Sequence, residues 1–118
     1  EKKFIITDCG MNDLMRPALY DSYHKILPLS KIIDSEIIST DIVGPICEST
    51  DKLFSSEEFY DVKEGEFLAI LNSGAYGSSM SSNYNARPLV SEILINEDNF
   101  TTIRKLQSFE DSIAQEIK

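Results

Sequence analysis

Ser35 to Asp51 reads SEIISTDIVGPICESTD. Its β-branched first half, through Val43, predicts one long strand or two short ones, because Ile, Val and Thr fit a pleated surface. Ser39 and Asp41 interrupt the apolar positions and imply one wet face. Gly44-Pro45 stops the run, and a thiol and a carboxylate, Cys47 and Glu48, follow on the turn. Loops at strand ends are where a rigid scaffold carries its chemistry.

Outward from this stretch the strand signals dominate. Lys3 to Asp8 is a short apolar run ended by Cys9-Gly10 and reads as a buried strand. Ile32-Ile33 adds β-branched residues ahead of Ser35. Phe67 to Leu71 reads as a buried strand fed by a turn at 62–66. Leu89 to Ile95 and Phe100 to Leu106 read as two strands joined by a hairpin turn at Asn96 to Asn99. Lys52 to Tyr60 is polar and acidic with scattered aromatics, and reads as loop with at most one turn of strand.

Helical signals are few. Pro17 suits a first helical turn, where its missing N–H costs nothing, so Pro17 to His24 is expected to be a short helix. Arg16 and Tyr20, four apart, would neighbour one another on its surface. Ser108-x-x-Asp111 resembles a capping box opening a helix through Ile117. With no βαβ repeat, the expectation is a mainly β sandwich or barrel with short helices.

The 118 residues allow a single domain, 1–118, with a real core. A net charge of -9 offers no basic stripe to neutralise phosphates and argues against nucleic acid. The scattered Lys and Arg weaken a membrane-surface reading, and no apolar run approaches a membrane span. Cys9 and Cys47 match no metal or redox spacing and read as free thiols in a reducing cytoplasm. His24 has no second histidine for a metal and reads as structural. The acidic residues Glu57, Glu58, Asp61, Glu64 and Glu66 read as a solvated face without calcium-loop spacing. The sequence opens at Glu1 without methionine and enters a strand at once, which reads as a segment of a longer polypeptide.

Taken singly, the polar candidates have plain readings: Arg16 as a helix cap or a partner of Asp13, Cys47 as a small hydrophobe, Glu48 as a solvated carboxylate. Asn72 to Asn85 (NSGAYGSSMSSNYN) is too small and polar for core, yet two tyrosines and a methionine distinguish it from a linker. Its glycines form no phosphate-binding loop motif, and Tyr76 there could serve as a packing anchor.

In order along the chain, Asp8 to Tyr20 (DCGMNDLMRPALY), Val43 to Asp51 (VGPICESTD) and Gly74 to Asn85 resemble the C-terminal domain of the diaminopimelate decarboxylase family, as do Arg87-Pro88 and Ile103-Arg104. The likeness spans nearly the whole chain. Cys47-Glu48 separates it from ornithine decarboxylase relatives, which typically carry Cys-Asp there. Thr50, where the family commonly has a small residue, and Ser78, where it has a bulkier one, depart from the pattern and bear on loop packing.

The resemblance implies a homodimeric, cytoplasmic, pyridoxal 5'-phosphate-dependent carboxy-lyase that converts meso-diaminopimelate to L-lysine and carbon dioxide. An N-terminal (β/α)8 barrel, absent from these residues, would hold the cofactor-bearing lysine; such a barrel alone needs about 250 residues. The fragment by itself is therefore expected to be inactive. By the same resemblance Arg16 and Tyr20 would bind the distal carboxylate and Glu48 the distal ammonium. Cys47 would donate a proton near the reacting carbon, Cys47 and Glu48 reaching the partner subunit's site, and Tyr76 would contact the cofactor. The alternatives are a related ornithine, arginine or carboxynorspermidine decarboxylase domain, or a β module that only binds partners.

Overall fold

Strand β3, Ile37–Val43, organises the first half of the chain. A computed structural model describes residues 2–30 and 35–116. Ile32-Ile33 and Ile117 lie outside the described residues, so the expectations placed on them are not addressed. β3 is flanked on one side by β1, Lys3–Ile6, in parallel, and on the other by β4, Lys52–Tyr60, antiparallel. A second sheet pairs β2, Ile26–Pro28, with β5, Leu68–Ile70. The core is small: Ile26, Ile42, Leu53 and Phe59 form its buried cluster, with Ile5, Cys9, Phe54, Val62, Leu68 and Ile70 packed against it.

β4 corrects the expectation of a loop. Phe54, Ser56 and Phe59 lie opposite Ile42, Thr40 and Ile38, with an extra residue between Ser56 and Phe59 that breaks the apolar alternation, and on the other face the polar Ser55 lies opposite buried Asp41. The pairing tolerates this because Ser55 Oγ donates to the Asp41 carboxylate across the ladder. The register shift between Ile38 and Thr40 adds a bulge beside Ser56. There Ser56 Oγ accepts the Glu58 N–H at 3.1 Å and donates to Glu58 O at 2.9 Å.

Helix α1, Arg16–Tyr20, is shorter than expected. Asp21 adopts φ 54°, ψ 34°, and its N–H returns to the Arg16 and Pro17 carbonyls. This left-handed cap ends the helix. Tyr23 and His24 therefore lie beyond it, and His24 is buried with Nδ1 3.1 Å from Leu71 O. The small, polar segment after β5 forms α2, Gly74–Met80, and a 3-10 turn, Tyr84–Ala86.

The described chain divides into two compact units, Glu1–Ser81 and Ser82–Lys118. The second holds the expected hairpin of β6, Glu92–Asn96, and β7, Asn99–Arg104. An Arg104–Glu92 ion pair joins its strands. α3, Phe109–Ser112, opens with the expected capping box: Ser108 Oγ accepts the Asp111 N–H, and Asp111 Oδ2 accepts the Ser108 N–H. The helix is one turn long, and Ile113 to Gln115 continue as turns. The architecture is mainly β with short helices, in three separate sheets among the described residues.

Asp41 is the buried charge of the first sheet. Burial alone would raise its carboxyl, but hydrogen bonds from Ser55 and Lys2 and the charges of Lys52 and Lys2 outweigh it and hold the group below the usual 3.8. A carboxyl depressed in the folded state adds stability above its unfolded value, and that stability is lost as pH falls through the folded value. Asp41→Asn is expected to flatten the dependence of denaturation midpoint on pH below about 4. The midpoint of wild type should fall faster over the same acid range.

Candidate functional site

Gly10 and Gly44 bring two loops into contact. A Cβ on Gly44 would stand 2.5 Å from the Gly10 Cα and 2.6 Å from Asp51 Oδ1. A Cβ on Gly10 would meet Ile46 Cγ1 at 2.9 Å and Pro45 Cδ at 3.0 Å. Only residues without a side chain permit so close an approach. The first loop turns on itself, with the Asp13 and Leu14 N–H groups bonded to Gly10 O at 2.9 and 3.0 Å. Asp13 Oδ2 accepts the Gly10 N–H at 3.0 Å, and the chain then enters α1.

The second loop carries Cys47 and Glu48. Glu48 N–H bonds Ile46 O at 2.8 Å, and Asp51 N–H bonds Glu48 O at 3.1 Å. Gly44 N–H bonds Asp51 O at 3.0 Å and closes the turn at its base. Both Cys47 and Glu48 are exposed, and neither cysteine is in a disulfide.

Arg16 begins α1 half-buried, and its guanidinium carbon sits 5.1 Å from the centroid of the Tyr76 ring. That is cation–π distance, and it joins two sequence candidates 60 positions apart. Tyr20 ends the same helix with 63% of its surface exposed. Tyr76, on α2, is 60% exposed. The structure thus brings Arg16 and Tyr76 together and sets Cys47 and Glu48 on a turn fastened to the loop before α1. A residue of this site without a sequence-assigned role is Asp51. The available signal was the glycine at each of the two crowded positions.

A phosphate-bearing cofactor is the group to test against these side chains. Tyr76 offers an accessible hydroxyl, and nothing lies within 4 Å of a Cβ placed on neighbouring Gly74. A ligand can approach there from outside the domain, so the residues fit one side of such a group. α2 is seven residues long and supplies no further anion site.

Apolar side chains are exposed in both units, and the polar candidates Tyr20, Cys47, Glu48 and Tyr76 face outward. The chain belongs to the pyridoxal-dependent decarboxylases: the family's C-terminal sheet domain matches residues 1–74. It is similar to the diaminopimelate decarboxylase of Aquifex aeolicus, 46% identical over 109 residues, which covers 92% of this chain and 26% of that protein. A solved structure from Aquifex aeolicus aligns over 100% of this chain and 29% of its own, with a TM-score of 0.94 and 42% identity. The Helicobacter pylori diaminopimelate decarboxylase complexed with L-lysine aligns over 98% of this chain and 28% of its own, with a TM-score of 0.88 and 43% identity. The chain therefore spans between a quarter and a third of the length of these three relatives.

The crowding at Gly44 makes a direct prediction. Gly44→Ala must displace backbone at Gly10 or the Asp51 carboxylate, and is expected to destabilise the fold by about 1–3 kcal/mol. Chemical denaturation of the two proteins side by side would measure it.

Proposed function

We propose that the parent of this chain decarboxylates meso-diaminopimelate to L-lysine and carbon dioxide with pyridoxal 5'-phosphate, as a cytoplasmic homodimer. The observation that carries the reading is the Arg16–Tyr76 pair, together with an exposed Cys47-Glu48 turn, in a chain 40–46% identical to diaminopimelate decarboxylases. In this reading a (β/α)8 barrel outside these residues holds most of the cofactor. The sheets described above complete a barrel or sandwich against it.

When bound, the cofactor's ring accepts the electron pair released as the carboxylate leaves. The residues of this chain handle the rest of the substrate. Diaminopimelate has two amino-acid ends, so selectivity needs a cation and an anion aimed at the end that does not react. Arg16 supplies the cation in planar, two-pronged form, and the Tyr20 hydroxyl donates to the same carboxylate. Glu48 accepts from the distal ammonium. The Cys47 thiol gives a proton to the carbon that has lost its carboxylate, and Tyr76 hydrogen-bonds the cofactor phosphate.

This division explains why lysine would not be a substrate. Bound for reaction, lysine presents no distal carboxylate, and Arg16 would be left desolvated without a partner. Homodimerisation is supported by the extent of exposed apolar side chains, among them Phe4, Ile6, Phe67 and Phe100. Two cysteines outside any disulfide suit a reducing compartment. Among the described residues no helix is long and apolar enough to cross a membrane.

The test is carbon dioxide release by the full-length parent from meso-diaminopimelate with pyridoxal phosphate added. Glu48→Ala is expected to lower kcat/KM by about 10²-fold, the worth of a charge-assisted hydrogen bond of about 2–3 kcal/mol. Unchanged turnover in the variant would remove Glu48 from the site. Turnover of ornithine or arginine in place of diaminopimelate would move the protein to a neighbouring specificity.

A further inference from the structure

We infer that Asp51 is a positioning residue: its carboxylate clamps the Cys47–Glu48 turn to the loop that leads into Arg16. The inference rests on the decarboxylase reading above for the role of the turn, and on geometry alone for the clamp.

Asp51 is 3% exposed, and each carboxylate oxygen holds a different segment. Oδ1 accepts the Met11 N–H at 2.7 Å, and Oδ2 accepts the Ile46 N–H at 2.6 Å. Met11 lies in the first loop and Ile46 immediately before Cys47. Both donors are main-chain groups, so the carboxylate fixes backbone rather than adjustable side chains. Bonds to a carboxylate are also about twice as strong as neutral ones. The main chain of Asp51 adds the two bonds that close the turn, to Gly44 N–H and from its own N–H to Glu48 O.

The surroundings restrict what can replace it. Asp51 Oδ2 would lie 3.1 Å from a Cβ on Gly10, and Oδ1 2.6 Å from one on Gly44, so the carboxylate fills the space both glycines leave. Glutamate, one methylene longer, overfills that space. Asparagine keeps the shape but offers one acceptor and turns an N–H group toward a backbone N–H. The side chain is spent on amides inside the fold, so its action on a ligand passes through Cys47 and Glu48.

The experiment uses the full-length parent and its Asp51→Asn variant. Hydrogen exchange at the Met11 and Ile46 amides is expected to quicken by about tenfold or more, the loss of a charged hydrogen bond. Protection across β3 and β4 should be retained. The kcat/KM for meso-diaminopimelate is expected to fall by about 10²-fold, the cost of a small misplacement of reacting groups. In a Glu48→Ala background the same substitution should cost less than it does in wild type, the remainder being the part that passes through Cys47. Activity within twofold of wild type, losses that multiply in the double variant, or an activity loss without faster exchange at the two amides would each overturn the inference. Asp51→Ser, which keeps one acceptor and relieves the crowding, carries the same cycle if the asparagine variant does not fold. A wild-type parent with no turnover would sink the decarboxylase reading, and exchange at Met11 and Ile46 would then decide the clamp by itself.

Discussion

A buried carboxylate shared between two backbone amides is the constraint on which the first unit turns. Asp51 could not be taken from water uncompensated. The Met11 and Ile46 amides compensate it, and in doing so they fix where two loops lie. That arrangement demands glycine at both positions 10 and 44, since any Cβ there would strike the other loop or the carboxylate. Polar satisfaction and steric room thus enforce one geometry.

The sheet delivers the loops to this meeting point. β1 and β3 run parallel, so their C-terminal ends, Ile6 and Val43, emerge on the same side. Thr7 reinforces the exit, its N–H and hydroxyl both bonding Val43 O and its hydroxyl also reaching Cys9 O. α1 follows the first loop and the Cys47–Glu48 turn follows β3. The Leu71 N–H bonds Lys25 O and His24 Nδ1 faces Leu71 O, which ties the chain after α1 to the chain before α2. Arg16 and Tyr76 meet within that frame. The apolar cluster beneath is small, and much apolar surface is left outward. Such a surface suits a domain made to be covered.

Legibility in the sequence followed local chemistry. The hairpin at Asn96 to Asn99 and the Ser108–Asp111 capping box were readable because neighbouring residues determine them. β4 was not, because the extra residue between Ser56 and Phe59 breaks its alternation and polar residues occupy both faces. Ser55 is reconciled to a strand by Asp41, fourteen positions away in sequence and opposite in the ladder. α1 was overextended because nothing local marks Asp21 as the left-handed residue that ends it. The candidate residues were legible mainly through their family motifs. Their grouping was not: no spacing rule pairs Arg16 with Tyr76. Asp51 stood in a quoted motif without a role, since its two donors come from loops that only the fold brings together.

The central claim is that this domain lends Arg16, Tyr20, Cys47, Glu48 and Tyr76 to an amino-acid site completed by the rest of the parent. The most direct measurement is a crystal structure of the full-length parent with pyridoxal phosphate and L-lysine bound. The account predicts the lysine carboxylate against Arg16 and Tyr20, Glu48 within hydrogen-bond reach of the neighbouring ammonium, and Tyr76 against the cofactor phosphate. A ligand bound with these side chains turned away, or held entirely by residues outside this chain, would contradict it.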